Sequence, residues 1–304
     1  MLLHAADVHA ASALMGGHCL PSPTGKTHTL IGEQHEPGLA ILAVHDVFAA
    51  IMEQPDAAQW SVEISFVELY NEKIFDLLEP TSTDLRIVED AMLGATVRDM
   101  VRERVDSPTR ALELLAIGSA NRAVAATAAN QRSSRSHVLF SLRVTSAPRN
   151  GSRTTAVLHV VDLAGSERVR KTGAEGARLT ESRRINSSLL ALGNVVQALA
   201  KASHERAAPS HVPYRDSKLT RLLSSALGGN SRTAFVCTLS PTTSNASESA
   251  STLQFAARAR SVRQTASKVV LTDETDSAAL AAAQQQIVRL RAALDAARQD
   301  RGMW

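Results

Sequence analysis

The sequence is poor in aromatic residues and cysteine and has no long apolar run. Phe, Trp and Tyr make up 3% of its 304 residues, and the cysteines are Cys19 and Cys237 alone. Two cysteines argue against a disulfide-stapled scaffold, so a reducing, intracellular compartment is the simpler interpretation. No apolar stretch reaches membrane-spanning length, and the first residues lack the basic start and apolar stretch of a signal peptide. We therefore expect an intracellular globular protein.

Positive charge is concentrated in one segment. The net charge is only +3, but residues 168–221 hold eleven Lys or Arg and four Asp or Glu, a balance of +7 that leaves −4 for the rest of the chain. Such a segment is suited to an acidic polymer. A solvated helix face is the commoner explanation of a charge run, so the charge alone does not choose between them.

Helical and strand patterns alternate along the chain. Alternation of apolar and polar residues predicts strands in WSVEISFVELY and HVLFSLRVTS, and nearly unbroken apolar runs predict buried strands in TTAVLHVVDLAG and in Arg232 to Ser240. Helical spacing predicts helices in PGLAILAVHDVFAAIMEQ and TESRRINSSLLALGNVVQALAKA. Another helix is predicted to begin after a cap at Ser107 and to stop at Gly118. The expected class is α/β, with a mixed sheet between helices.

The tripeptide Gly25-Lys26-Thr27 is the end of the phosphate-binding pattern G-x-x-x-x-G-K-[ST]. The first glycine of that pattern should be at position 20, where the chain has leucine, followed by Pro21 and Pro23. Prolines have no N–H with which to bind phosphate. The loss of two charge-assisted hydrogen bonds weakens nucleotide binding by about a hundredfold or more.

Two further motifs support a nucleotide site. Asp162 to Gly165 (DLAG) ends a predicted buried strand, where an open sheet presents its ligands. An acid there can act on Mg²⁺, and a nearby glycine lets its N–H approach a γ-phosphate. Asn130 to His137 (NQRSSRSH) precedes the neighbouring strand with clustered hydroxyls and an arginine. Alone it fits a surface turn, but the three motifs together predict a γ-phosphate sensor. His137, a single histidine at a strand start, is interpreted as structural rather than catalytic.

The chain resembles the kinesin motor domain from about Gly25 to Arg263. The segments that carry this resemblance are SFVELYNEKIFDLL, NQRSSRSH, VVDLAGSER, KTGAEG and HVPYRDSKLTRLL. NQRSSRSH, TLQFAARAR and AILAVHDVF are similar to the centromere-protein-E-like branch. The resemblance implies a P-loop NTPase with a kinesin-type mixed central sheet flanked by helices on both faces. Upstream strands and an adenine-packing R-x-R-P segment that the family has are not found before Gly25.

The resemblance implies ATP and Mg²⁺ as cofactors. Lys26 would contact the β- and γ-phosphates, and the metal would be held by Thr27, Ser134 and, through water, Asp162. The expected nucleotide-binding set is Gly25, Lys26, Thr27, His28, Asn130, Ser134 and Asp162.

The resemblance also implies catalytic roles in two switch loops. Ser133 would lie beside the γ-phosphate and the attacking water, and Gly165 would sense that phosphate. Arg135 and Glu167 would form the ion pair that closes the switches. A buried pair of this kind suits a latch, because breaking it leaves a charge without its partner.

The resemblance makes tubulin the acidic partner of the basic segment. The residues expected to face it, with affinity that falls as salt rises, are Lys171, Arg178, Arg183, Arg215, Lys218 and Arg221. Ser187 stands where related motors usually have lysine, a departure that favours lower affinity. Nucleic acid is the competing polymer, but no base-reading motif or stacking-aromatic pattern supports it. No membrane partner is expected.

Four segments are predicted. Residues 1–24 are unassigned and irregular, 25–265 form a partial kinesin motor domain, 266–277 a linker, and 278–304 a helix. Leu280, Ile287 and Leu294 belong to a seam of under three heptads, which fits either a short coiled coil for self-association or a helix docked on the domain. A truncated chain, a misassigned start and real divergence all fit the unusual beginning.

The predicted function is a microtubule-based motor ATPase on the microtubules of the cytoplasm, including the spindle as a candidate location. An alternative is a motor remnant that binds microtubules with weak or no ATP turnover. Small GTPase-like switches also contain the Asp-x-x-Gly motif, but the sequence has no N-K-x-D segment that would bind guanine.

Overall fold

The structure is a computed structural model. It describes residues 11–15, 25–33, 35–53, 59–82, 84–90, 93–128, 135–147, 153–165, 177–205, 211–264 and 266, with the backbone alone for 11–15, 126–128 and 177–186. The predicted linker over 266–277 and helix over 278–304 lie, except for residue 266, outside these ranges and stay predictions.

The helices and strands alternate along the described chain. The strands are β1 (Ala11–Met15), β2 (Gly32–Glu33), β3 (Glu36–Pro37), β4 (Gln59–Tyr70), β5 (Lys73–Asp76), β6 (Ile87–Asp90), β7 (Gly94–Val97), β8 (Glu103–Val105), β9 (His137–Ala147), β10 (Thr154–Asp162) and β11 (Arg232–Val236). The helices are α1 (Lys26–Ile31), α2 (Leu39–Met52), α3 (Pro108–Ala128), α4 (Ala177–Glu205), α5 (Lys218–Leu222), α6 (Ser224–Gly228) and α7 (Ala246–Ser261).

Seven strands form one mixed sheet. Their order is β11-β1-β10-β9-β4-β5, and β8 also pairs with β4. β1 runs parallel to both of its neighbours, whereas the other pairings in this sheet are antiparallel. The predicted α/β class with a mixed sheet is therefore confirmed.

Apolar residues cover both faces of the sheet. On one face, Val44 of α2 and Leu115 of α3 belong to a cluster with Ile64 and Phe140 of the strands. On the other, Leu192 of α4 packs in a second cluster with side chains of β4, β10 and α5. The alternation along β4 and β9 explains this division, since successive side chains point to opposite faces. Within the described ranges, no helix is both long and apolar enough to span a membrane.

β1 corrects the prediction that residues 1–24 are irregular. It lies between β10 and β11, with Met15 opposite both Asp162 and Val236 in the register. Five residues are too few to show a strand period, so this strand depends on backbone pairing with two distant neighbours rather than on a local pattern.

β11 is shorter and more exposed than predicted. It ends at Val236 rather than Ser240, and its residues are exposed or partly buried, with none fully buried. Among the described strands it pairs with β1 alone. The prediction that the first strands of the fold are missing stays a prediction.

The prediction that Gly118 stops a helix is wrong, although the cap at Ser107 is confirmed. Arg110 N donates to Ser107 Oγ at 3.3 Å, and α3 then continues through Gly118 to Ala128. A Cβ at Gly118 would lie 2.1 Å from Phe66 Cδ1 of β4. The glycine is required because the helix packs against an aromatic ring, a reason that the local sequence does not show.

Candidate nucleotide site

The site lies where β1, α1 and β10 meet. The parallel pairing of β1 with β10 sets Met15 level with Asp162, so the last residues of both strands lie at the same edge of the sheet. Gly25 precedes α1 with a left-handed backbone (φ 78°), which glycine adopts without strain. The next residue, Lys26, is 9% exposed. Two of the predicted motifs are thereby brought to the same edge of the sheet.

Thr27 and Asp162 are in direct contact. The Thr27 hydroxyl donates to Asp162 Oδ2 over 3.1 Å. A hydroxyl and a carboxylate are oxygen ligands of the type that Mg²⁺ selects. The side chains present therefore fit the magnesium ion that the sequence predicts for this position.

Arg122 of α3 completes this cluster and was not identified from the sequence. Its Nη1 donates to Asp162 Oδ2 at 3.1 Å, and its Nη2 lies 3.4 Å from both Ser136 O and Ser136 Oγ. The side chains of Arg122 and Asp162 are 12% and 5% exposed. One signal could have revealed it: Ala111, Leu115 and Gly118 precede it at spacings of four and three on one helical stripe. An arginine on an inward stripe needs a carboxylate partner.

A cavity of about 350 Å³ adjoins the cluster between α1 and α3, and its lining includes Thr27, Arg122 and Asp162. A second cavity, of about 190 Å³, borders Ser141 and His159. Ser141 and His159 are opposite each other in the register, and His159 is three positions before Asp162 on β10. Because successive side chains of a strand point to opposite faces, the second cavity lies on the face of the sheet opposite to Asp162. Of these two cavities, the first alone borders the contact between Thr27 and Asp162.

His137 joins two elements beside the site. It begins β9 and is 4% exposed. Ala164 N donates to its Nδ1 at 3.0 Å, and its Nε2 lies 2.8 Å from Ser188 Oγ of α4. Burial of the ring, together with the positive charges of Lys26 and Arg122, lowers the pKa of His137 to about 3. The imidazole is therefore neutral at pH 7.

Several predicted residues lie outside the described ranges. Asn130, Ser133, Ser134 and Glu167 are among them. Their predicted contacts with nucleotide and Mg²⁺ stay predictions. Arg135 is described and half-buried, but the ion pair expected between Arg135 and Glu167 also stays a prediction. Gly165 is described and follows Asp162 by three positions, as the motif requires.

His28 lies on α1, but its imidazole is near acidic residues of the following hairpin. Its Nε2 is 3.8 Å from Glu33 Oε1 and 3.9 Å from Glu36 Oε2, and its side chain is 47% exposed. The predicted role of His28 in nucleotide binding stays a prediction.

Two of the predicted tubulin contacts, Lys218 and Arg221, have acidic partners within the chain. Lys218 Nζ lies 2.8 Å from Asp84 Oδ1, and Arg221 Nη2 lies 3.2 Å from Glu89 Oε1. Although partial burial opposes ionisation, hydrogen bonds from Lys218 Nζ and Ile74 N lower the pKa of Asp84. Lys218 and Arg221 of α5 are therefore both paired with acidic residues within the chain.

Arg215 is different. It is exposed, and no ion pair is found for it among the described residues. Of the other predicted tubulin contacts, Arg178 and Arg183 belong to the part of α4 of which the backbone alone is described, and Lys171 is outside the described ranges. Ser187 is exposed on α4. Because these contacts are all within the chain, the interface with tubulin stays a prediction.

The fold is that of a P-loop NTPase-type α/β protein, and the comparisons with known proteins specify it further. The family model for the kinesin motor domain matches residues 21–262, so this chain belongs to the kinesin motor family. The resemblance noted in the sequence is thereby confirmed. Assignment to the centromere-protein-E-like branch stays a prediction.

Relatives include the kinesin-like protein KIN-7L of Oryza sativa subsp. japonica, 42% identical over 88% of this chain and 42% of its own length. Kinesin-related protein 4 of Dictyostelium discoideum is 43% identical over 79% of this chain and 12% of its own length. Kinesin heavy chain isoform 5C of Rattus norvegicus is 42% identical over 80% of this chain and 25% of its own length. The chain spans less than half the length of these curated relatives.

Solved structures agree. A fast kinesin has a TM-score of 0.79 and 37% identity, with 90% of this chain and 76% of that chain covered. A KIF14 dimer with AMP-PNP on a microtubule has a TM-score of 0.77 and 36% identity, with 86% and 74% covered. The structural relatives thus include a kinesin complex with microtubules.

Proposed function

We propose that this chain is a microtubule motor that binds ATP with Mg²⁺ and couples its hydrolysis to movement. The observation that carries the proposal is the contact between Thr27 and Asp162, which joins the phosphate-loop remnant to the end of β10. Membership of the kinesin family supports the same function.

The residues of the site have distinct parts in this proposal. Lys26 binds the terminal phosphates, while Thr27 and, through water, Asp162 hold the metal. Mg²⁺, when bound, neutralises charge that develops on the transferred phosphoryl group. Arg122 orients Asp162 through their 3.1 Å contact. Ser133, Gly165 and the expected pair of Arg135 with Glu167 supply the closing switch.

The tubulin-facing surface is proposed along α4, the turn at Tyr214–Asp216 and α5. Because Lys218 and Arg221 already have acidic partners, Arg215 is expected to contribute more to tubulin affinity than either of them. The location that follows is the microtubule cytoskeleton, and self-association through 278–304 stays a prediction.

The test is phosphate release by the full chain with ATP, with and without microtubules. We expect microtubules to accelerate release and Lys26→Ala to abolish it. Arg110→Ala is the control, because Arg110 lies in the first turn of α3, outside the proposed tubulin-facing surface, with its side chain 45% exposed. Release no higher than that of Lys26→Ala would remove the ATPase proposal.

A second candidate is a microtubule-binding remnant without turnover. Pro21 and Pro23, which stand in the phosphate loop without N–H donors, favour it. This candidate predicts co-sedimentation with microtubules that depends on salt but is the same in ADP and in a non-hydrolysable ATP analogue.

A further inference from the structure

His137 makes a hydrogen-bonded bridge between the loop after β10 and helix α4. Its ring accepts from Ala164 N at 3.0 Å on one side and lies 2.8 Å from Ser188 Oγ on the other. Ser188 is 3% exposed. Both contacts are therefore shielded from water, where directional hydrogen bonds define positions most strongly.

The bonding pattern fixes the tautomer of the ring. A backbone N–H can only donate, so Nδ1 of His137 must accept from Ala164. In a neutral imidazole the proton then resides on Nε2, which donates to Ser188 Oγ. The bridge runs in one direction, from the Ala164 amide through the imidazole to the Ser188 hydroxyl.

The two ends of the bridge belong to parts with different predicted tasks. Ala164 directly precedes Gly165, the residue expected to sense the γ-phosphate. Ser188 lies in α4, the helix whose earlier residues, Arg178 and Arg183, are expected to face tubulin. A shift of the loop toward or away from the phosphate changes the geometry of the first bond, and a rigid ring transfers that change to the second.

We propose that His137 is a positioning residue that couples the phosphate-sensing loop to α4 through Ser188. This inference rests on the proposed function and adds a named connection to it. A histidine that merely fills the core would stabilise the fold without affecting how microtubule affinity responds to nucleotide. The two roles therefore differ in a measurable quantity.

Substitutions can break each half of the bridge separately. In His137→Asn the amide oxygen takes the place of Nδ1, so the Ala164 bond is kept and the Ser188 bond is lost. In His137→Gln the longer amide reaches the position of Nε2, so the Ser188 bond is kept and the Ala164 amide loses its acceptor. Ser188→Ala breaks the second bond from the helix side. Ser203→Ala is the control, because it removes a hydroxyl near the far end of the same helix that accepts from Arg263 N and does not contact His137.

The first experiment measures the Kd of the full chain for microtubules in ADP and in a non-hydrolysable ATP analogue. We expect the ratio of the larger Kd to the smaller to fall about fivefold in His137→Asn and in Ser188→Ala, because the free energy of one hydrogen bond corresponds to a change of about that size. The ratio should not fall further in the double variant, since both substitutions break the same bond. The KM for ATP should stay at its original value in both. His137→Gln should instead lower kcat, because it disturbs the loop before Gly165. A ratio unchanged in both His137→Asn and Ser188→Ala would overturn the proposal.

The second experiment does not depend on turnover. Nitrogen-15 NMR of the full chain with labelled histidine distinguishes the two neutral tautomers, and His137→Gln identifies the signal. We expect the form protonated at Nε2, with a shift that changes in Ser188→Ala and not in Ser203→Ala. The Nδ1-protonated form would overturn the bridge. A chain without ATPase activity but with the expected tautomer would contradict the proposed function and leave the bridge itself established.

Discussion

Removal of Arg122 should destabilise the protein far more than removal of a surface arginine with a shorter ion pair. Arg122 Nη1 lies 3.1 Å from Asp162 Oδ2, and the two side chains are 12% and 5% exposed. Without the guanidinium, Asp162 keeps a buried charge that lacks its counter-ion. Breaking a buried pair in this way costs about 3–5 kcal/mol of the free energy of unfolding.

The matched control lies on the same helix. Arg110 Nη1 is 2.9 Å from Glu113 Oε2, but these side chains are 45% and 54% exposed. Solvent screens such a pair, so Arg110→Ala should cost only about 0.5 kcal/mol or less. Burial, rather than distance, decides the difference.

The assay is urea unfolding of the full chain at pH 7 without nucleotide, followed by circular dichroism. Arg122→Met preserves most of the side-chain volume and separates the loss of charge from the loss of packing. Equal losses for Arg122→Ala and Arg110→Ala would refute the placement of Arg122 beside Asp162.

Other predictions concern packing, pH and the basic surface. Gly118→Ala should lower the free energy of unfolding by about 1–3 kcal/mol, because its Cβ would lie 2.1 Å from Phe66 Cδ1; unchanged thermal unfolding would contradict this packing. Burial lowers the pKa of His159 from 6.5 to about 4, so the unfolded chain binds a proton that the folded chain lacks between those values. The contribution of His159 to the free energy of unfolding should therefore fall by about 1.4 kcal/mol per pH unit as the pH drops through that range, and the neutral His137 adds a similar slope. His159→Gln should remove the His159 share of the slope in urea titrations at several pH values; an unaltered slope would argue against a buried neutral ring. Arg215→Ala should weaken co-sedimentation with microtubules more than Lys218→Ala, since Lys218 already has Asp84 as a partner, and the reverse order would show that the pair opens on binding.

Local patterns predicted the elements that bury one face or both. The alternation of Val62, Ile64 and Phe66 identified β4, and the apolar run before Asp162 identified β10. The stripe that includes Leu192 and Val196 identified α4. In each case the side chains that define the period are the ones that the fold buries, so the periodicity indicates the structure directly.

Features that depend on distant partners were not predictable in this way. β1 is a strand because β10 and β11 pair with it, and Gly118 lies within a helix because Phe66 approaches it. Arg122 belongs to the site because α3 passes the end of β10, a fact of topology rather than of local sequence. The contact of Thr27 with Asp162, by contrast, follows from motifs whose places at the sheet edge could be predicted.

The most direct test of the proposed motor function is the affinity of the full chain for microtubules in two nucleotide states. If Thr27 and Asp162 hold magnesium and nucleotide and the site communicates with α4, the Kd in a non-hydrolysable ATP analogue with Mg²⁺ will differ from the Kd in ADP, and Lys26→Ala will abolish the difference. The same Kd in both states, in a chain that still binds microtubules, would contradict a working nucleotide site.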